Sequence, residues 1–501
     1  MFGQPTPTPQ SSLALFCPST REPIEPIGNR PHSPIHILNN DALLNIFHLY
    51  RLDVLYEYGN GHPNFNWSGE RWWYKLAQVC RWWRYLVLAS PSQLNLHLLC
   101  TNGVHVASML AHSPPLPLTI YYRHGESTEE DEEGIFLALK HSDRVHYIGL
   151  WLPTPTLRII ITTMDEQFPT LERLYIASPT EDDRSLVFPR SFQAPHLRHL
   201  FLMHAALPIG SPFLTTAVGL VTLILRHIPS TAYFSPGYLL ARFSLMPQLE
   251  MIQIHFHSPL PNRDVARQLL GAPIMTPITL PNLRVFSFKG VSAYMEGLLT
   301  QISAPVLTNL EIILFNQLTV TVPRLLQFMG TSESLSFNSL QLIFDNDFAE
   351  LVAFELGEET RYFFTAMIRC RHFDWQVSSS AQILSTLQPV FSVVETLTLI
   401  HGGHDRSSEW HNEIDCTQWR QLLRPFSNLK TLHVQNELLG KLARSLEADD
   451  GELPLELLPN LKEVGYSGDD ARKALAPFID ERQAAGHPVN LTKVDRSLFF
   501  R

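Results

Sequence analysis

The side chains best suited to chemistry lie close together near residue 400. They are three histidines and one cysteine: His401, His404, His411 and Cys416. Imidazole and thiolate groups are zinc ligands, and HGGH is also a sequence found in loops that form oxyanion holes. Their spacing fits no strong zinc template, and a simple turn accounts for the glycines. We therefore expect no bound metal, and a hydrolase that uses the 401–411 loop stays an alternative.

Other catalytic motifs are missing from the sequence. It contains no GxSxG elbow to hold a nucleophilic serine and no GxxxxGK[ST] loop for phosphates. It also lacks the GxGxxG fingerprint of dinucleotide binding. We expect no cofactor and no enzymatic activity.

Composition limits the compartment and the partners. The five cysteines are widely scattered and form no CxxC pair, so we expect no disulfide framework and a reduced compartment, cytoplasmic or nuclear. A formal net charge of −10 argues against nucleic-acid binding, which needs a basic surface. No apolar run approaches the roughly 18–20 residues of a membrane span. We expect neither nucleic acid nor membrane as a partner.

The elements that position these side chains come from a repeated phrase. About ten stretches between 145 and 466 have an LxxLxL pattern, often preceded by proline. The clearest copies are FPTLERLYI at 168–176, APHLRHLFL at 194–202, MPQLEMIQI at 246–254, LPNLRVFSF at 280–288, APVLTNLEI at 304–312, FSNLKTLHV at 426–434 and LPNLKEVGY at 458–466. One such unit cannot bury its apolar face alone, which predicts stacked repeats that bind another macromolecule.

Helix signals lie between the strand phrases. Predicted helices run from Asn262 to Leu270, from Ser292 to Ile302, from Pro323 to the residue before Gly330, and from Thr417 to Leu423. Leu171 and Leu197 are 26 residues apart, whereas Leu249 and Leu283 are 34 apart. The fold class is therefore α/β, an irregular β/α solenoid.

The amino-terminal third has a different character. Residues 1–33 are rich in proline and polar residues and are predicted to be disordered. Asn39 or Asn40 is the predicted N-cap of a helix that continues to Tyr50, and a second helix is predicted from Arg71 to Leu88. Strands are expected at 94–99 and 115–122, and the acidic run 126–133 is expected to be a solvated loop before a helix.

The first two helices resemble the F-box. The family pattern is Leu-Pro-x-Glu-Leu-Leu-x-x-Ile-Phe followed, after a spacer, by a Leu-x-x-Val-Cys-x-x-Trp helix. LNNDALLNIF at 38–47 and LAQVCRWWRYL at 76–86 match it, with Asn39, Asp41 and Ala42 as departures and a longer spacer. The phrases RWWRYLVLASPS, HSPPLPLTI and APHLRHLFL are similar to those of fungal F-box proteins with leucine-rich-repeat-like domains.

The resemblance implies a partner and a role. The F-box would bind a Skp-family adaptor, and through it a cullin, with adaptor-binding residues Leu38, Leu43, Ile46, Phe47, Val79, Cys80 and Trp83. The chain would then be the substrate-recognition subunit of a Skp–cullin–F-box ubiquitin ligase, bringing an unknown protein substrate to the ubiquitin-carrying enzyme. A plain interaction scaffold, with an F-box-like module used outside ubiquitin transfer, is the alternative.

Strand alternation predicts the surface for that substrate. The third and fifth positions of each LxxLxL phrase point away from the core, and we call the face that they form the outer face. Its candidate substrate-binding residues are Tyr147, Arg173, Tyr175, His199, Phe201, Met251 and Gln253. The predicted domains are a tail at 1–33, an F-box at 34–93, a solenoid at 94–466 and a helical cap at 467–501.

Overall fold

A computed structural model describes most of the chain. The described residues are 38–56, 72–123, 128–179, 186–208, 211–229, 234–258, 277–315, 320–332, 334–335, 337–356, 361–402, 416–446, 457–467 and 471–494. The predicted tail at 1–33, the predicted helix from Asn262 to Leu270, and His404 and His411 lie outside them. None of the described helices is both long enough and apolar enough to cross a bilayer.

The chain divides into two compact units. Unit 1 comprises Met1–Thr180 and Ser191–Ala194, and unit 2 comprises Glu181–Arg190 and Pro195–Arg501. Both combine strands and helices, as the α/β class predicts. The predicted domain boundaries at 93 and 466 stay a prediction.

The described residues of unit 1 begin with four helices. They are α1 (Asn40–Tyr56), α2 (Trp72–Val79), α3 (Arg81–Ala89) and α4 (Pro91–Leu94). The side-chain oxygen of Asn39 accepts the Ala42 N–H at 2.8 Å, which caps α1 and selects Asn39 from the two predicted caps. Phe47 of α1 packs edge-on against Trp83 of α3, with ring centroids 4.8 Å apart.

The single helix predicted from Arg71 to Leu88 is wrong, because the chain breaks it at Cys80. Cys80 has an extended backbone (φ −156°, ψ 168°) and its sulfur accepts the Trp83 N–H at 3.4 Å, so it caps α3. Across the break, the Arg84 guanidinium donates to the Ala77 carbonyl at 2.9 Å. Both bonds satisfy backbone groups that a helix end leaves open.

A parallel sheet of four strands follows in unit 1, in the order β1, β2, β3, β4. Its elements are β1 (Leu98–Thr101), α5 (Val106–His112), β2 (Leu118–Arg123), α6 (Glu129–Leu139), β3 (Val145–Trp151), α7 (Thr154–Thr163) and β4 (Arg173–Ala177). The described part of the acidic run is not a loop, since α6 begins at Glu129. Negative side chains in the first turn stabilise a helix, because they are attracted to the positive, amino-terminal end of its dipole.

Unit 2 holds a longer sheet. Strands β6 (His199–Met203), β8 (Thr222–Ile228), β9 (Met251–Phe256), β11 (Val285–Gly290) and β13 (Asn309–Leu314) pair in parallel in that order. Strands β17 (Thr396–His401), β18 (Thr431–Val434), β19 (Glu463–Tyr466) and β20 (Asn490–Lys493) do the same. Two further pairs are short: β5 (Leu186–Val187) pairs with β7 (Ala205–Ala206), and β10 (Ile278–Thr279) pairs with β12 (Ile302–Ser303).

The helices of unit 2 alternate with these strands. They are α8 (Phe213–Thr216), α9 (Pro236–Phe243), α10 (Ser292–Leu299), α11 (Pro323–Met329), α12 (Phe373–Thr386), α13 (Gln388–Phe391), α14 (Cys416–Leu423), α15 (Asn436–Leu446), α16 (Ala471–Ala474) and α17 (Ala476–Ala484). The prediction for Pro323 through the residue before Gly330 is confirmed. The helix predicted to reach Ile302 ends at Leu299, and Val291 rather than Ser292 is its cap residue.

An antiparallel insertion interrupts the repeat between β13 and β17. Strands β14 (Ser339–Phe344), β15 (Phe348–Glu355) and β16 (Arg361–Arg369) form an antiparallel meander. Their order across the sheet, from β13 to β17, is the reverse of their order in the chain. Thus β16 pairs with β13 and β14 pairs with β17, both in parallel. These strands were not predicted from the sequence, although Phe337, Leu340 and Leu342 around the start of β14 are spaced as in the LxxLxL phrase.

The core follows the predicted alternation. Inward positions of the phrases are buried, among them Leu174 and Ile176, Leu200 and Leu202, Ile252 and Ile254, Phe286 and Phe288, and Leu432 and Val434. Each such side chain contributes roughly 1.5–3 kcal/mol when it leaves water. Repetition of these pairs along the sheet is what holds neighbouring repeats together.

Candidate functional site

Between residues 40 and 50, helix α1 presents two apolar faces, and only one of them is covered. Leu43 and Phe47, one helical turn apart, are 0% and 1% exposed. On the other face Ile46 is 44% and Leu49 is 60% exposed. Because apolar side chains of this size are normally buried, the second face is a candidate surface for a partner.

The neighbouring helices also have exposed apolar side chains. Val79, the last residue of α2, is 60% exposed, and Tyr85 on α3 is 71% exposed. Helices α1, α2 and α3 pack against one another. We name Ile46, Leu49, Val79 and Tyr85 the exposed apolar set.

The structure divides the predicted adaptor-binding residues by burial. Leu43 and Phe47 are buried within the chain itself. Ile46 and Val79 are exposed, while Leu38, Cys80 and Trp83 are half-buried. Sequence reasoning missed Leu49 and Tyr85, although the spacing of three from Ile46 to Leu49 could have indicated the former.

In unit 1 the outer face is only partly open. The register places Tyr147 beside Arg173, and Gly149 beside Tyr175. Tyr147 is only 6% exposed, contrary to the expectation for its position. The Tyr147 ring lies over Gly149, where a Cβ atom would be only 2.6 Å from it. Only glycine, which has no Cβ, leaves room for the ring there. Arg173 is exposed and Tyr175 is half-buried, so these two residues form the open part of the predicted surface in unit 1.

In unit 2 the structure brings four predicted residues together. His199 and Met251 flank Thr222 in one row across β6, β8 and β9. Phe201 and Gln253 flank Ile224 in the next row. All four predicted residues are half-buried. The Gln253 side-chain oxygen accepts two bonds from the Arg226 guanidinium, at 3.1 and 2.8 Å, so this amide has a defined orientation.

A histidine, a serine and a glutamate meet further along the outer face. The Ser287 hydroxyl donates to Glu311 Oε2 at 2.5 Å, and His255 Nε2 lies 2.7 Å from Ser287 Oγ. Since the serine proton points to Glu311, His255 Nε2–H is the donor in the second bond.

These three residues are not a nucleophilic triad. In such a triad the acid orients the histidine and the histidine takes the serine proton, whereas here the acid accepts directly from the serine. Burial, together with Arg226, Lys289 and His227, also lowers the pKa of His255 to about 3. An imidazole with so low a pKa is a poor general base near neutral pH.

The 401–411 segment is described only at its start. The His401 backbone N–H donates to Gln435 Oε1 at 2.6 Å, and burial lowers the pKa of its imidazole. Cys416 begins α14 and is half-buried. His404 and His411 lie outside the described residues, so the hydrolase and zinc alternatives for this loop stay untested.

Comparison with known proteins gives little. No family model matches the chain, and no curated protein matches it. Among solved structures it is similar to the leucine-rich repeat-containing protein LegL7 from Legionella pneumophila, at 10% sequence identity and a TM-score of 0.25, over 78% of this chain and 98% of that chain. A superposition with so low a score carries no argument, and the fold assignment rests on the strands and helices described above.

Proposed function

We propose that this protein is the substrate-recognition subunit of a Skp–cullin–F-box ubiquitin ligase. Its amino-terminal helices bind a Skp-family adaptor, and its sheets bind a protein substrate on the outer face. The observation that carries the proposal is the exposed apolar set on α1, α2 and α3. These helices also carry the residues that resemble the F-box, including Ile46 and Val79.

Physical reasoning supports a partner on this surface. A soluble chain that leaves four large apolar side chains exposed on three adjoining helices gains free energy when a partner removes them from water. Leu43 and Phe47 are already buried within the helices. The surface is therefore held in position before a partner arrives, which lowers the entropy cost of binding.

The mechanism is tethering. The adaptor links this chain to a cullin that carries the ubiquitin-loaded enzyme, and the outer face holds the substrate. Holding both on one complex raises the effective concentration of substrate lysines near the activated ubiquitin. The chain supplies no nucleophile in this scheme.

Coexpression with a Skp-family adaptor tests the proposal. The full-length chain should copurify with the adaptor, and Ile46→Asp should weaken binding by about 100-fold or more. The reason is that an apolar interface desolvates the new carboxylate, at a cost of at least ~2.8 kcal/mol. Affinity would be measured by calorimetry on the purified proteins.

A matched control is Ile159→Asp. Ile159 is an isoleucine on helix α7 of the same unit and is 57% exposed, but it belongs to none of the helices that resemble the F-box. Adaptor affinity should not change in this variant. Absence of adaptor binding by the unmodified chain, or equal loss in both variants, would contradict the proposal. Adaptor binding without any cullin-dependent ubiquitin transfer would favour the interaction scaffold instead.

A further inference from the structure

Three histidines meet at one end of the unit-2 sheet. His204 directly follows β6, His227 is the next-to-last residue of β8, and His257 directly follows β9. These strands are parallel neighbours, so their carboxyl ends lie side by side. One ring nitrogen from each histidine lies within 4.8 Å of the other two.

The rings are in mutual contact. His204 and His227 stack with centroids 4.4 Å apart and an interplanar angle of 20°. His257 contacts both, with centroids 6.1 Å from His204 and 6.0 Å from His227. His204 and His227 are half-buried, whereas His257 is exposed, so the cluster opens to solvent on one side.

The backbone at two of these residues is unusual. His204 and His227 have φ angles of 58° and 54°, in the left-handed region that glycine occupies most easily. His227 lies in a β-bulge, since Leu225 pairs with Ile254 but Ile228 pairs with Phe256, which leaves one extra residue on β8. A bulge with a left-handed residue redirects its side chain, and such bulges are common next to functional sites.

The neighbouring backbone holds this arrangement in place. The His204 N–H donates to the Arg226 carbonyl at 3.1 Å, and the His204 carbonyl accepts from Leu186 N–H at 3.3 Å. The His257 N–H donates to the Ile228 carbonyl at 2.9 Å. Sites carried by hydrogen-bonded strands keep their ligands in position better than sites on free loops do.

We propose that His204, His227 and His257 bind a divalent transition-metal ion, with Zn²⁺ the first candidate. Neutral imidazole suits zinc, copper, nickel and iron, and three histidines leave the fourth tetrahedral position for water. Bonds of about 2.0–2.1 Å place ligand nitrogens about 3.3 Å apart. Stacked rings direct their in-plane lone pairs side by side rather than toward one point, so the rings of His204 and His227 must rotate to bind one ion.

Co²⁺ is the probe for the first experiment, because tetrahedral coordination gives it strong visible absorption bands that the aqueous ion lacks. The full-length chain should bind one Co²⁺ with such bands, and Zn²⁺ should displace it. His227→Gly is the informative variant, since glycine accepts the left-handed φ and leaves the bulge intact. We expect affinity to fall by more than about 100-fold, because even groups outside the coordination shell are worth ~10–100-fold.

Two controls locate the binding. His487→Gln removes an exposed histidine elsewhere in unit 2, and His404→Gln removes one from the sequence segment 401–411. Neither should change Co²⁺ affinity. A further readout is melting temperature, which Zn²⁺ should raise in the unmodified chain but not in His227→Gly. The proposal is overturned if the unmodified chain binds Co²⁺ no more tightly than His227→Gly, or if His404→Gln abolishes binding.

Discussion

On the outer face of the unit-2 sheet, burial shifts the pKa of single residues. His255 is neutral near pH 7, since its pKa is lowered to about 3. Glu350 on β15 lies on the same face as Glu311, and burial and the Glu311 charge both raise the pKa of the Glu350 carboxyl. Each shift favours the neutral form of the group.

Glu350 allows a test of this effect through stability. Its pKa in the folded chain is above the ordinary value of 4.5, so the folded chain holds the proton more tightly than the unfolded chain does. Stability is therefore lost as pH rises from 4.5 through the folded-state pKa. Glu350→Gln should raise the denaturant midpoint at pH 7 relative to the unmodified chain, and the difference should vanish well below pH 4.5.

The comparison for this prediction is Glu355→Gln, which removes an exposed carboxylate from the same strand. We expect its free energy of unfolding to match that of the unmodified chain at both pH values, within about 0.5 kcal/mol. A Glu350→Gln variant that is less stable than the unmodified chain at pH 7 would show that the carboxylate is favourably bound instead.

At the scale of elements, the start of α6 explains why an acidic run forms a helix. The Thr128 hydroxyl accepts the Asp131 N–H at 3.3 Å, and Asp131 Oδ2 accepts the Thr128 N–H at 2.8 Å, which is a capping box. Asp131 is only 3% exposed and also accepts the Gly103 N–H at 2.8 Å. One carboxylate thus caps a helix and fixes the turn after β1.

Asp131→Ala should therefore be costly. Loss of the cap and of the bond to Gly103 should lower the free energy of unfolding by about 2–3 kcal/mol. Glu130→Ala, which removes an exposed acid from the same turn, should change it by less than about 0.5 kcal/mol. Chemical denaturation of both variants measures the difference. Equal effects would mean that the acidic run acts only through its total charge.

For the whole molecule, the proposed tethering requires two surfaces that work independently. Ile46→Asp should weaken adaptor binding by about 100-fold or more and leave substrate capture unchanged. The double replacement of Tyr175 and Phe201 by alanine should do the reverse. Both side chains are half-buried on the outer face, so the chain should stay folded. Ubiquitin transfer to the substrate should fail in either variant, by at least about tenfold, because tethering depends on both contacts.

Two pull-downs, one with the Skp-family adaptor and one with proteins captured from a lysate and identified by mass spectrometry, would measure these effects. Replacement of Val187 by alanine is a suitable control, because Val187 is 53% exposed and belongs to neither predicted surface. Loss of both activities in a single variant that remains folded would contradict independent surfaces.

Much of the local structure was predictable, because short-range pattern reflects burial. The buried pair Leu174 and Ile176 follows from strand alternation, and the start of α1 follows from the capping preference of asparagine. The break at Cys80 was not predictable, since the apolar stripe continues across it. At the break the Cys80 sulfur accepts the Trp83 N–H, and the Trp83 ring packs against Phe47 of α1, a contact between helices that periodicity does not record.

The sequence by itself determined that strands and helices alternate, which strand positions face the core, and which helices resemble the F-box. Only the tertiary structure decided that the chain crosses β14, β15 and β16 in reverse, that Tyr147 is covered, and that His204, His227 and His257 meet. The physical reason is range. Periodicity records the environment of a residue along its own helix or strand, whereas strand order and side-chain convergence depend on pairing between segments that are far apart in the chain.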